Sequence, residues 1–106
     1  MDFEGKVAVI TGSSAGIGAE AAKKITSMGG RVTINYSKSK EAAEEVAHEC
    51  SQLGETPLLI KADIASDEGC KHLVDSAISE FNAINVLINN AGRTKFADYS
   101  NLDALQ

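Results

Sequence analysis

The chain has 106 residues, with 10 Lys plus Arg against 15 Asp plus Glu, a formal charge of −5, 43% hydrophobic residues and no Trp; this fits one soluble domain over residues 1–106 and excludes a second core. No block of basic residues is present to neutralise a phosphate backbone, so no nucleic acid and no membrane surface is an expected partner. The longest apolar runs, such as Val7–Ile10, fall far short of the ~18 residues that span a bilayer.

Met1-Asp2-Phe3-Glu4 opens with acids in place of the basic-then-apolar order of a secretion signal, which favours a cytoplasmic location. Val7-Ala8-Val9-Ile10 is a continuous apolar run ending in Thr11-Gly12, the pattern of a strand buried on both faces in mid-sheet. Ile17, Ala21, Ile25 and Met28 then recur at helical spacing until Gly29-Gly30, where glycine can take the left-handed C-cap conformation. Val32 to Tyr36 alternates apolar and polar residues as a strand does, and Ala43, Val46, Cys50 and Leu53 form a helical stripe stopped by Gly54. Pro57-Leu58-Leu59-Ile60 is a third strand. The helix after it is expected to be capped by Ser66, with Asp67 and Glu68 in its first turn and Leu73, Val74, Ala77, Ile78 and Phe81 on its buried face. Val86-Leu87-Ile88 is the fourth strand, and the polar stretch beyond it reaches Leu102–Gln106, where a further helix is expected to begin.

Strands separated by helical patterns of ten to fifteen residues imply right-handed βαβ units, so the fold class is α/β. A Rossmann-like, doubly wound parallel sheet is expected, truncated to four strands in the order 3-2-1-4. Nothing in the chain repeats at a fixed period, and no low-complexity linker interrupts it. Cys50 and Cys70 lie outside any Cys-x-x-Cys pair and are expected to be free thiols.

Thr11-Gly12-Ser13-Ser14-Ala15-Gly16-Ile17-Gly18 lies where the first strand passes into the first helix, a position that offers free backbone N–H groups to an anion. Gly12 lets the strand turn sharply, and Gly16 and Gly18 lack a Cβ, so that backbone and helix can approach a diphosphate closely. A tight turn that binds nothing would carry the same glycines. The spacing Gly-x-x-x-Gly-x-Gly differs from Gly-x-Gly-x-x-Gly, and no Lys follows as a P-loop requires, which disfavours ATP hydrolysis. A second cluster, Asn89-Asn90-Ala91-Gly92, ends the fourth strand. In a doubly wound sheet the first and fourth strands are neighbours, so both clusters face one crevice at the switch point where ligands bind. Asn and Gly are also common in ordinary turns at strand ends.

Together these clusters resemble the short-chain dehydrogenase/reductase family, of the type that includes 3-oxoacyl-carrier-protein reductases. Thr-Gly-x-x-x-Gly-Ile-Gly stands at Thr11–Gly18, Asn-Asn-Ala-Gly at Asn89–Gly92 and an Asp-Ile pair at Asp63-Ile64. The likeness runs from Phe3 to Asp103, and three motifs in register are far more specific than one. It implies that Asp63 accepts a hydrogen bond from the adenine amine while Ile64 packs against the ring. It also implies that Asn89 lies beside the cofactor, that Ala91 and Gly92 let the adenosine side approach, and that Ser14 offers a hydroxyl to the same half. Helix capping or a surface charge is the plainer role for Asp63.

About twenty residues past the glycine turn an Asp or Glu would hold the ribose hydroxyls of NAD. Asn35-Tyr36-Ser37-Lys38 stands there instead. Ser37 and Lys38 can meet a 2′-phosphate, so NADP(H) is expected over NAD(H). Lys38 and Lys40 also read as an ordinary solvated helix start.

The family's catalytic Ser and Tyr-x-x-x-Lys normally lie beyond the Asn-Asn-Ala-Gly turn. Here Tyr99-Ser100-Asn101-Leu102-Asp103 places Asp where Lys is needed. Tyr36 and Lys40 match the spacing, but Tyr36 is expected to close a strand, so the two do not share a helical face. His48 with Cys50 and Cys70 with His72 are each two apart, pointing away from each other on a helix, so no metal site and no catalytic set is expected.

The chain therefore reads as the cofactor half of an oxidoreductase passing hydride between NADPH and a small-molecule carbonyl or alcohol, a homo-oligomer at full length. The alternatives are a non-catalytic NADP(H)-binding module or truncated isoform, and a fragment that binds nothing. Its fourth strand leaves an unpaired edge, which promotes association. Light scattering on the 106-residue chain is expected to show self-association or marginal stability; a stable, cooperatively unfolding monomer would contradict this.

Overall fold

A computed structural model describes residues 2–90. The polar stretch expected to start a further helix lies outside the described residues. Strand and helix alternate as β1 (Val7–Ile10), α1 (Gly16–Ser27), β2 (Arg31–Tyr36), α2 (Lys40–Ser51), β3 (Leu58–Lys61), α3 (Asp67–Phe81) and β4 (Val86–Ile88). All strand pairs are parallel and the order is β3-β2-β1-β4, the Rossmann-like order read from the sequence. No helix among the described residues is long and apolar enough to cross a membrane.

β1 is buried along its whole length because β2 and β4 flank it and helices cover both its faces. In register, Ile10 lies opposite Ile34 of β2 and Ile88 of β4. One face, with Ala8, Ile10, Val32, Ile34 and Tyr36, packs on α1 and α2. The other carries Val9 against the α3 side chains Leu73, Val74 and Ala77. Two hydrophobic layers thus share one thin sheet, as the strand's continuous apolar run requires.

α1 turns a different face inward from the expected one. Of Ile17, Ala21, Ile25 and Met28 only Ile25 is buried; Gly18, Ala19, Ala22 and Thr26 complete the buried face, and Ile17 is 79% exposed at the helix start. Small residues line this face because the helix lies close against the sheet, a fit that large side chains would prevent. The C-cap is as expected: Gly29 has φ +91°, and the N–H groups of Gly29 and Gly30 donate to the carbonyls of Thr26 and Ile25, both at 3.0 Å.

α2 buries Ala43, Val46, Ala47 and Cys50 but ends at Ser51, which leaves Leu53 about half exposed past the last turn. Burial pushes the Cys50 thiol above its ordinary range and keeps it protonated. Ser66 caps α3 through its Oγ, which accepts from Gly69 N–H at 2.9 Å. β3 starts one residue later than expected, since Pro57 has no N–H to give the ladder.

β2 departs from its alternating pattern. Thr33 and Asn35, which the pattern assigns to a polar face, are 0% and 2% exposed because α3 and the chain leading into it cover that face. Asn35 is fully engaged in hydrogen bonds, whereas the Thr33 hydroxyl has no partner among the described residues. A buried hydroxyl left unpaired costs about 1–3 kcal/mol. Thr33→Val, which keeps the shape and removes the oxygen, is expected to raise the unfolding free energy by about 1 kcal/mol in a urea titration.

Candidate functional site

At the carboxyl ends of the strands four loops meet, and polar side chains tie each to the next. Thr11 N–H continues the ladder to Ile88 O at 3.0 Å. Its hydroxyl then donates to Asn89 Oδ1 at 3.2 Å and accepts from Asn90 N–H at 2.8 Å. Asn90 Nδ2 donates to Gly12 O at 3.2 Å. The glycine turn and the asparagine pair, 78 positions apart, are therefore one assembly.

On its other side the turn is tied to β2. Gly12 N–H donates to Asn35 Oδ1 at 3.0 Å, and Ser13 N–H donates to Asn35 O at 3.1 Å. Asn35 N–H donates to Ser13 Oγ at 2.9 Å, and that hydroxyl donates to Ile10 O at 2.7 Å. The Asn35 amide nitrogen in turn donates to Ala62 O at 3.2 Å, with weaker contacts to Tyr36 O and Ile60 O. Sequence reasoning passed over Thr11, Ser13, Asn35 and Asn90 as site residues. The available signal was a polar side chain in a strand that neighbours on both sides force to be buried, where it must find partners.

Gly18 belongs to this contact rather than to open solvent. A Cβ there would lie 2.6 Å from Gly12 O, 2.7 Å from Asn90 Nδ2 and 2.9 Å from the Ser13 Cα, so only hydrogen fits between α1 and the two loops. Gly12 makes the turn at φ +61°. Its N–H and C=O are both used internally, as is Ser13 N–H, so its part in holding a ligand is conformational.

Donors for an anion come from further along, at the start of α1. Ala15 caps that helix with no side-chain hydrogen bond, and its first turn holds no acid. By contrast, Ser39 caps α2 with Glu41 in its first turn, and Ser66 caps α3 with Asp67 and Glu68. The first N–H groups of α1 and the positive end of its dipole thus remain to meet a negative charge, with Ile17 exposed beside them.

Between these loops lies a cavity of about 240 Å³ lined by Gly12, Ser14, Asn35, Tyr36, Ser37, Asp63, Ile64 and Ala65. Sites for a whole ligand run to roughly 300–1,000 Å³, so this hollow is smaller than a whole-ligand site. Two larger grooves, near Leu58 and Glu80 and near Glu4 and Met28, touch neither the glycine turn nor the asparagine pair. Asp63 is exposed at the rim; its Oδ1 accepts from Ala65 N–H at 3.0 Å, so it does shape the turn into α3. Ile64 is 7% exposed, packs in the α3 layer and also lines the cavity. Lys38 is exposed and follows Ser37 but does not line the cavity. Ala91 and Gly92 lie outside the described residues. Tyr36 ends β2 and Lys40 starts α2, so they sit on separate elements.

The chain resembles known proteins along nearly its whole length. A family model described as short chain dehydrogenase matches residues 6–106. The 3-oxoacyl-[acyl-carrier-protein] reductase of Staphylococcus epidermidis is 38% identical over 90 residues, 85% of this chain and 37% of that protein. A doubly substituted short-chain dehydrogenase/reductase of Serratia marcescens superposes with a TM-score of 0.83 at 39% identity, covering 87% of this chain and 38% of that one. A dehydrogenase of Burkholderia cenocepacia, solved with bound NADP, superposes with a TM-score of 0.79 at 27% identity over 83% of this chain and 34% of its own. The chain thus spans less than two fifths of these relatives' length.

Gly18→Ala drives a methyl group into the backbone of the glycine turn and the side-chain amide of Asn90. It is expected to lower the unfolding free energy by about 1–3 kcal/mol in urea titrations, and an unchanged value would show that the loops can part freely.

Proposed function

The chain belongs to the short-chain dehydrogenase family, and from that membership we infer an NADP(H)-dependent oxidoreductase whose cofactor half occupies residues 1–106. The observation that carries this reading is a cavity walled by the loops after β1, β2 and β3, with the asparagine pair after β4 tied to the far side of the glycine turn, beside a helix start that offers N–H groups and no acid. The residues present fit a dinucleotide: the place of Gly18 admits no side chain, and the donors that Gly12 and Ser13 have spent are replaced by those of α1.

In this reading the backbone at Gly16, Ile17 and Gly18 holds the diphosphate, with Gly12 setting the bend and Ser14 offering its hydroxyl to the adenosine half. Asp63 takes the adenine amine and Ile64 borders the ring. Asn89 stands beside the cofactor, and Ala91 and Gly92, assigned by motif alone, let its adenosine side approach. Ser37 and Lys38 meet the 2′-phosphate, and the exposure of both leaves them free to do so. Bound NADPH supplies a hydride for a carbonyl carbon, or NADP⁺ receives one from an alcohol. Proton exchange with the substrate oxygen falls to residues beyond these 106, since Tyr36 and Lys40 are on different elements and Asp103 replaces the Lys that Tyr99 would need.

The substrate class is a small carbonyl compound or alcohol, a reading supported by the acyl-carrier-protein reductase among the relatives. Buried Cys50 and Cys70, which form no disulfide, support a reducing, cytoplasmic setting, and a homo-oligomer at full length belongs to the same reading. NADPH oxidation with a panel of ketones separates segment from enzyme: no turnover is expected from the 106 residues alone.

Fluorescence titration is expected to give tighter binding of NADPH than of NADH. A charge-assisted contact contributes about 1.5–3 kcal/mol, so Lys38→Ala is expected to weaken NADPH binding by about tenfold or more and leave NADH unchanged. An equal loss for both cofactors would remove Lys38 from the 2′-phosphate site.

A further inference from the structure

The nucleotide cavity has walls from the end of β2 and from two segments that share no backbone pairing, the glycine turn after β1 and the Asp63–Ala65 stretch that follows Ala62 after β3. β2 stands between them. One side chain spans that gap. The Asn35 carboxamide, 2% exposed, accepts from Gly12 N–H at 3.0 Å through its oxygen and donates to Ala62 O at 3.2 Å through its nitrogen. Both ends of the amide are used, and they are used in opposite senses.

We propose that Asn35 is the positioning residue of the nucleotide cavity, holding the diphosphate turn and the adenine-side segment at fixed separation by an acceptor on one side and a donor on the other. The inference rests on the nucleotide reading above and adds a residue to it. Asn35 acts through Gly12 and Ala62; its amide is consumed by the protein and needs no contact with the ligand. The requirement is polarity as well as shape. A carboxylate of the same size keeps the bond from Gly12 N–H but turns its second oxygen toward the carbonyls of Ala62, Ile60 and Tyr36. Protonated, that acid regains a donor and reproduces the amide.

Asn35→Asp therefore converts a fixed spacer into one that titrates. Burial and the facing carbonyls both disfavour its charged form, so its pKa lies above the ordinary carboxylate range. The titratable groups around it are few. Asp63 and Tyr36 line the same cavity, Lys61 and Lys38 end β3 and follow β2, and α3 contributes the Cys70 thiol beneath Ile64. The glycine turn contributes none. All of these are present in the unsubstituted chain, which serves as the reference for their titration and for that of the 2′-phosphate.

The test is the dissociation constant of NADP⁺, measured by calorimetry at pH 5 and pH 8 for the unsubstituted chain and for Asn35→Asp. The variant is expected within about threefold of the reference at pH 5 and at least tenfold weaker than it at pH 8. A ratio that does not change with pH, or a variant that is unfolded at pH 5, would overturn the positioning role. If the reference binds NADP⁺ and the ratio stays flat, only that role fails; if a folded reference does not bind at all, the nucleotide reading fails and takes this role with it. A second measurement needs no substitution. Hydrogen exchange followed by NMR is expected to show the Gly12 amide and the Asn35 side-chain amide each protected at least tenfold over an exposed amide, and both slowed further on saturation with NADP⁺. Rapid exchange at both would overturn the proposal.

Discussion

A parallel sheet ends in unpaired backbone groups, and where several strands end together those groups must be satisfied by whatever side chains the loops bring. Here they are satisfied by a chain of short polar residues running from Asn89 and Asn90 through Thr11 and Ser13 to Asn35 and Ala62. The rest of the site depends on this chain. It fixes the glycine turn from both sides, and by using up the hydrogen-bonding groups of Gly12 and Ser13 it leaves the start of α1 as the place where an anion finds donors. A helix start without a capping side chain or an acid is a poor arrangement for a free helix. It is a sensible one for a helix whose cap is supplied by a ligand.

Much of this was legible in the sequence, and for identifiable reasons. The run from Val7 to Ile10 specifies a strand buried on both faces, the environment that a parallel sheet layered by helices provides. The Ser66 cap followed by Asp67 and Glu68 marks the start of α3, and Gly29-Gly30 marks the end of α1, because both signals are local chemistry. The adjacency of the two clusters followed from topology: once four strands alternate with helices, the first and fourth are neighbours.

What sequence reasoning missed turns on burial, which periodicity describes only on average. Alternation assigned Thr33 and Asn35 to a polar face, yet a second helical layer covers it, so one residue became a hub and the other an unpaired hydroxyl. The apolar spacing of α1 put Ile17 on one stripe with Ala21, Ile25 and Met28, whereas the helix buries Gly18, Ala19, Ala22 and Thr26 beside Ile25 and leaves Ile17 exposed at its start. In each case the deciding fact was how closely two elements approach, which no single segment of sequence encodes.

The two ties of the glycine turn differ in how far along the chain they reach. Gly12 and Asn35 are 23 positions apart, whereas Thr11 and Asn89 are 78 apart. Closing the longer loop costs about 1 kcal/mol more in chain entropy if both segments are flexible. During synthesis the adenine-side wall can therefore settle as soon as β2 and β3 have emerged, while the opposite wall waits for the end of β4; the crevice is finished from one flank to the other rather than all at once.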